Sequence, residues 1–591
     1  MRAWPVSATV LALLVPPGTV GAEAGPPPTF TRDVAPIIYA QCASCHRPGE
    51  AGPFSLLSYA DVSRHGKQIV MVTDSRFMPP WLPVPGHGEF QGARKLSDDQ
   101  RRTLRQWYER GMPQGDPADL PALPALSQGW QLEEPDVVAE MVADYTLPAD
   151  GPDVIRNFVI RAPVAAPGWV EAVEVRPGNK RVVHHAVLKV DPTPLSRRLD
   201  AEDGEPGFPG MSMGNAESPD GHIIVWTPGA TTYPAIPGLA WRLEPQDDLV
   251  LQLHMVPSGI PESVRVRVGL HLTDRPPERE TFAVVLREDR IDIPAGAKAY
   301  RIADRFTLPV AVDVLGVYPH AHYLGKTMRV TASLPDGTRL WLLRIDDWDF
   351  NWQGMYRYVE PLRLPAGATV EMEYTYDNSA DNVRNPNFPP RRVVGGNRST
   401  DEMGNLALQL LPLDPGGLTA LREANWQALL AKNPLDTGAL FNLGVERARR
   451  GDHAGAAEYY SRIVRSNPLD QGAHFALAGT YVKLKRTAEA IAHYEQVVRI
   501  DPRHVESLYV LGWLLSNSGR FDEAARALER AVTVDPGYAA AWQRLGVARE
   551  GQGQFALAAQ HFREALRLQP ELVSARQGLD RALEELSKNR P

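Results

Sequence analysis

Residues 316–326 read GVYPHAHYLGK, and at their centre stand two imidazoles two residues apart, His320 and His322, in an apolar, β-prone run. Side chains at i and i+2 of a strand leave the same face with Cα atoms roughly 7 Å apart, so both rings can turn toward one ion. A third ligand has to come from elsewhere, and Met403, in STDEMGNL (399–406), is the candidate. Two imidazoles and a thioether are a soft set that favours copper, Cu(I) above all, over zinc, magnesium or calcium. A second group joins His184 and His185, in RVVHHAVLKV (181–190), to His254, in LQLH (251–254). Adjacent residues of a regular strand point to opposite faces, so His184 and His185 share an ion only if the backbone bulges or one ring bends around. Three histidines plus water also make a catalytic zinc set, so zinc hydrolysis is a competing chemistry here, one that leaves Met403 unexplained. His222 and His271 have no comparable partners and are read as structural.

Residues 41–46, QCASCH, contain a CxxCH. Thiols at this spacing form thioether bonds to the haem vinyl groups while the next residue binds iron, so Cys42, Cys45 and His46 are read as a c-type haem attachment. A redox dithiol and half of a zinc site are the alternatives; His46 and the lack of a third cysteine weigh against both. Met78, in RFMPPW (76–81), is the candidate sixth iron ligand, with Met71 and His65 as rivals.

The elements that must position these groups follow from patterning. A chain of 591 residues is too long for one core, so several domains are expected. Residues 1–22 carry Arg2, an apolar segment near 8–15 and small residues at 20–22, the form of a cleaved export signal. The reading is therefore an exported, periplasmic protein; retention of 1–22 as an anchor is the alternative. No later run reaches the roughly eighteen apolar residues of a membrane helix, so no transmembrane segment is expected in the mature chain. A net charge of −8 with no basic run excludes a nucleic-acid binder.

Residues 29–115 form the haem module, closed by a helix over 98–110 that Ser97 caps and that shows Leu104, Trp107 and Tyr108 on one face. Pro, Ala and Asp dominate 113–126, a linker. From 128 to 411, short alternating runs broken by Pro and Gly predict antiparallel sheet, divided near 276–280 into two sandwiches, 128–276 and 277–411. Helices fill 419–588, where Pro434, Pro468, Pro502, Pro536 and Pro570 recur every 34 residues, the tetratricopeptide period. Gly444, Ala478, Gly512 and Gly546 take the small site of each repeat, and Tyr460, Tyr494, Leu528 and Phe562 the large apolar one. Four repeats (437–470, 471–504, 505–538 and 539–572) and a capping helix at 573–588 predict a solenoid that binds a protein partner.

Residues 29–115 resemble a small bacterial cytochrome c. The order HH, LQLH, HAHYLGK, STDEMGNL over residues 184–403 is similar to that of the copper type II, ascorbate-dependent monooxygenases. That resemblance implies two tandem, jelly-roll-like sandwiches holding two copper ions across an open cleft. An electron-transfer copper would sit at His184, His185 and His254, and an oxygen-activating copper at His320, His322 and Met403. In the peptidylglycine-hydroxylating branch, an arginine and a tyrosine that bind the substrate carboxylate stand where this chain has Tyr318 and Ala407; Asn405 is the retained member of that set. The implied activity is hydroxylation of a C–H bond by O2, on an organic substrate other than a peptide C-terminus. It needs two electrons from an external donor; apart from the resemblance, the one covalent haem c read at Cys42, Cys45 and His46 is a candidate relay for them, because it shares the chain. A non-enzymatic electron-transfer protein and a repeat-based scaffold are the alternatives.

Overall fold

Strand Thr369–Tyr376 alternates half-buried and buried residues along its whole length, the signature of a sheet with one face on a core. Strand Asp248–Met255 is buried throughout, because its second face is also covered: Phe208, Met213 and Ala216 pack with Val250 on that side. The computed structural model describes residues 26–588 except 51, 125–128 and 231, so the export signal expected at 1–22 lies outside the described residues. The chain forms two compact units, Met1–Leu418 and Thr419–Pro591.

Two pairs of antiparallel sheets make up most of the first unit. In the first pair, a five-stranded sheet carries β1 (Val183–Asp191) and β2 (Asp248–Met255) side by side. It faces a four-stranded sheet across a core that includes Phe158, Leu188, Leu253, Trp241 and Leu270. In the second pair, β3 (Val312–Ala321) and β4 (Gly404–Pro412) are neighbours in one four-stranded sheet, and Thr369–Tyr376 lies in the other. Thus the first sandwich presents His184, His185 and His254 from two adjacent central strands, whereas the second presents His320 and His322 from the end of β3 alone, beside the start of β4.

Residues 30–109 form short helices around Phe30, Ile38, Leu104 and Trp107. Ser97 caps the last of them, Asp98–Glu109, through a reciprocal box with Gln100. Leu104 and Trp107 on that helix are buried, while Tyr108 is half-buried. Between the helices, residues 83–91 pair with the β region. Val84 N–H donates to Arg344 O (2.8 Å), Gln91 N–H to Arg357 O (2.8 Å), and Val359 N–H to Glu89 O (2.9 Å). The two strands so contacted, Arg339–Ile345 and Tyr356–Leu364, are the edge strands of the two sheets of the second sandwich.

The second unit is helical. Eight helices from Thr437 to Leu568 form four antiparallel pairs, with Gly417–Lys432 before them and Val573–Lys588 after. The small residues that recur at the 34-residue spacing have a steric role. A Cβ added at Gly444 would lie 2.5 Å from Tyr460, and one at Gly546 would lie 2.6 Å from Phe562, so each close helix crossing needs the small residue. Among the described residues no helix is long and apolar enough to cross a membrane.

Candidate metal centre

The strand pairing supplies the distortion that regular geometry would not. Val183 pairs with Met255 and His185 with His254, two steps on β1 against one on β2, so His184 is the extra residue of a bulge. The bulge brings His184 and His185 to one side, and His185 faces His254 directly across the strands. One ring nitrogen from each of the three lies within 4.8 Å of the others. His184 Nδ1 and His185 Nδ1 are 3.3 Å apart. Two nitrogens bound to one ion at about 2.0–2.1 Å stand roughly 3.3 Å apart at a tetrahedral angle.

Hydrogen bonds fix which nitrogens are free. His254 Nε2 lies 2.9 Å from Asp153 Oδ2; a carboxylate only accepts, so the ring carries its proton there and its lone pair on Nδ1. His322 is the mirror case. Its Nδ1 donates to the Asp401 carbonyl (3.0 Å), leaving Nε2 free. His320 Nδ1 donates to Gln353 Oε1 at 2.6 Å and likewise keeps its lone pair on Nε2. Lone pairs are therefore left on Nδ1 of His254 and on Nε2 of His320 and His322, the atoms free to meet an ion.

Electrostatics keep His184, His185, His320 and His322 neutral. Burial, with repulsion from His254 and His320, holds His184 down to about 3. Burial, again first, holds His320 to about 4 and His322 to about 3, and pushes His185 well below its ordinary value. Neutral imidazoles are what a metal needs, since a bound proton must otherwise leave first. Burial pushes the Asp153 carboxyl up, but hydrogen bonds from His254 and Ser399 outweigh it and hold it below the carboxylate norm. Burial raises Glu402 to about 8, although three backbone N–H groups, of His322, Leu324 and Met403, donate to it. Glu402 thereby ties the HxH turn to the start of β4.

Met403 lies where the register would continue. His320 pairs with Asn405 and Ala321 with Gly404, so the next step sets Met403 opposite His322. Tyr318 and Ala407, the two departures from the peptide-hydroxylating pattern, are themselves direct partners across β3 and β4. Asn405 stands opposite His320.

The open cleft implied by the resemblance is not present. His185 and His320 have ring centroids only 6.2 Å apart, so the two sets adjoin. Phe350, buried on a short turn (Phe350–Trp352), fills the space: it stacks on His184 at 4.2 Å and meets the His322 ring at 5.4 Å and the Tyr323 ring at 4.8 Å. Asp349 caps that turn by accepting from Asn351 N–H, and Arg384 pairs with Asp349.

At the N-terminal module, Cys42, Cys45 and His46 line a cavity of about 230 Å³ together with Phe54, Ile69, Met78 and Trp352. His46 Nδ1 lies 3.2 Å from the Phe54 carbonyl, which puts its proton on Nδ1 and its lone pair on Nε2. Neither rival of Met78 lines this cavity: Met71 is exposed, and His65 stacks flat on Phe54 at 3.8 Å. The second sandwich contributes Trp352, and the loop at Gly229 of the first sandwich approaches Cys45 Sγ.

Sequence patterning missed Asp153, Phe350, Gln353 and Glu402. Only Glu402 carried a signal, its place beside Met403.

Comparison with known proteins speaks to the second unit. The tetratricopeptide repeat family model matches residues 423–468, 441–505 and 509–572. The C-terminal unit is a tetratricopeptide repeat array. Solved structures similar to it include MamA protein (22% identity, 26% of this chain and 85% of that one, TM-score 0.25). Another is YrrB, described as a TPR protein with an unusual peptide-binding site (21%, 26% and 80%, TM-score 0.25). A third is residues 41 to the end of MamA from Desulfovibrio magneticus RS-1 (22%, 26% and 93%, TM-score 0.23). Curated proteins give no match.

Proposed function

We propose that the chain is an exported copper-dependent monooxygenase that carries its own c-type haem and recruits a protein partner through its repeats. The observation that carries this reading is the contiguous histidine cluster, with its lone pairs directed by Asp153, Asp401 and Gln353. His184, His185 and His254 would hold one copper; His320, His322 and Met403 would hold the other. Cys42, Cys45 and His46 would hold the haem, with Met78 lining the same crevice. Bound copper supplies one-electron storage and O2 activation, and haem adds a further one-electron store.

The chain's own part is to orient and to exclude water. Asp153 and the Asp401 carbonyl fix the tautomers, and burial keeps the imidazoles neutral. Phe350 and Trp348 dry the space around His184 and His322, with the Trp348 indole donating to the His322 carbonyl at 3.2 Å. One short turn serves both regions, since Trp352 lines the CxxCH crevice while Phe350 stacks on His184. Tyr318 and Ala407, in place of a carboxylate clamp, favour a substrate other than a peptide C-terminus.

Metal and haem analysis of full-length protein, matured in an exporting and haem-attaching host, tests the reading. Copper at two equivalents with one haem per chain is expected; zinc, or a single metal, overturns it. A second reading rests on the repeat match itself: a non-enzymatic scaffold whose repeats recruit a protein partner to the redox modules. Copper-dependent O2 consumption with C–H substrates separates the two.

A further inference from the structure

Gln353 is 2% exposed and its amide lies between the two histidine sets. Its Oε1 accepts from His320 Nδ1 at 2.6 Å and from the Tyr318 hydroxyl at 3.4 Å. Its Nε2 lies 3.4 Å from His184 Nδ1, donating to that ring's lone pair. We propose that Gln353 is a positioning residue that couples the two sets, so that a copper ion on His320 and His322 weakens the hold of His184, His185 and His254 on theirs. The inference rests on the copper reading above and goes beyond it, because nothing in that reading requires the sets to sense each other.

The polarity of one amide links the two ends. His184 Nδ1 faces His185 Nδ1 at 3.3 Å, so a cation shared by these rings takes the same lone pair that Gln353 holds. The amide N–H and the ion compete. At the other end, a cation on His320 Nε2 draws density out of the imidazole and makes Nδ1–H a stronger donor. That polarises the Gln353 carbonyl and sharpens its N–H, a cooperative chain in a buried site. The stronger N–H competes better for His184. By linkage the effect is reciprocal: an ion on the three-histidine set releases the amide and weakens the pair's hold on its own ion by the same factor. One hydrogen bond of ordinary net strength corresponds to about three- to tenfold in affinity.

The test is a Cu(I) titration of the full-length protein against a chromophoric Cu(I) chelator. His322→Ala isolates the three-histidine set, and His254→Ala isolates the HxH set with Met403. The product of these two affinities, divided by the product of the stepwise constants of the unsubstituted chain, is the coupling factor. The same cycle is then run with Gln353→Met, which keeps length and volume while removing all three hydrogen bonds, those to His320, His184 and Tyr318. Gln353→Leu replaces it if circular dichroism shows misfolding. Direct repulsion between the two ions acts in both cycles and cancels. The expected result is a coupling factor about three- to tenfold smaller without Gln353. Equal factors, within twofold, overturn the coupling and leave the copper reading standing, whereas an unsubstituted chain that binds fewer than two ions overturns both. A merely structural role for Gln353 would shift both single-site affinities and leave their coupling unchanged.

Discussion

The two histidine sets lie against each other yet are braced by opposite means. Behind the three-histidine set stands an anion, Asp153, bonded to His254 at 2.9 Å. Behind the HxH pair stand neutral oxygens, the Gln353 amide and the Asp401 carbonyl. The nearby carboxylate of Glu402 is occupied with backbone N–H groups. A carboxylate behind an imidazole raises its basicity, and a neutral oxygen does so less. On the copper reading proposed above, the difference suits the three-histidine set to a more positive ion and the HxH pair to a softer, less charged one.

The contrast breaks most sharply at the ligands themselves. On the copper reading, His254→Ala should remove one copper per chain and spare the other, read by metal analysis; loss of both would mean that the sets are a single site. Acid is the next lever. Metal-free, His184, His320 and His322 hold no proton until about 3 to 4, while in the unfolded chain they take one near 6.5. Stability is therefore full above that unfolded value and is lost as pH falls toward 3, since the unfolded state binds more protons in that window. Glu402 has the opposite sign: raised from 4.5 to about 8, it gives stability that is present below 4.5 and lost as pH rises to 8. Thermal melts of Glu402→Gln and the parent should diverge across that interval, and parallel curves would refute the shift.

Asp153→Asn should lower metal affinity at the three-histidine set about ten- to a hundredfold and leave the HxH set unchanged, as chelator competition would show. An equal loss at both sets would erase the proposed contrast. The smallest effect belongs to Tyr318→Phe, which removes one long hydrogen bond to Gln353 and should change stability by less than about 1 kcal/mol in denaturant melts.

How far this was legible from sequence depends on whether a contact follows a period. The repeat array has one, and the small residue at Gly444 or Gly546 is forced by the ring packed against it. The i, i+2 spacing of His320 and His322 likewise states its own geometry. Sharing one ion between His184 and His185 demands a bulge, but whether β1 has one depends on its register with β2, which local sequence does not encode. Phe350 and Gln353 carried no signal at all. Gln353 meets His184 across 169 residues of chain, and nothing in DWDFNWQG relates it to either histidine pair. The closed arrangement of the two sets was invisible for the same reason.

Residues 83–91 decide how the molecule can be taken apart. They satisfy the outer edges of both sheets of the second sandwich, with Pro83 bridging Ile345 and Phe90 bridging Tyr358. An unpaired sheet edge is a template for another chain. A truncation in the Pro- and Ala-rich stretch after residue 113 would separate the CxxCH module cleanly by composition, yet it would bare two edges at once and leave a β region prone to self-association. The linker marks where the composition changes, and the seam of the molecule runs elsewhere.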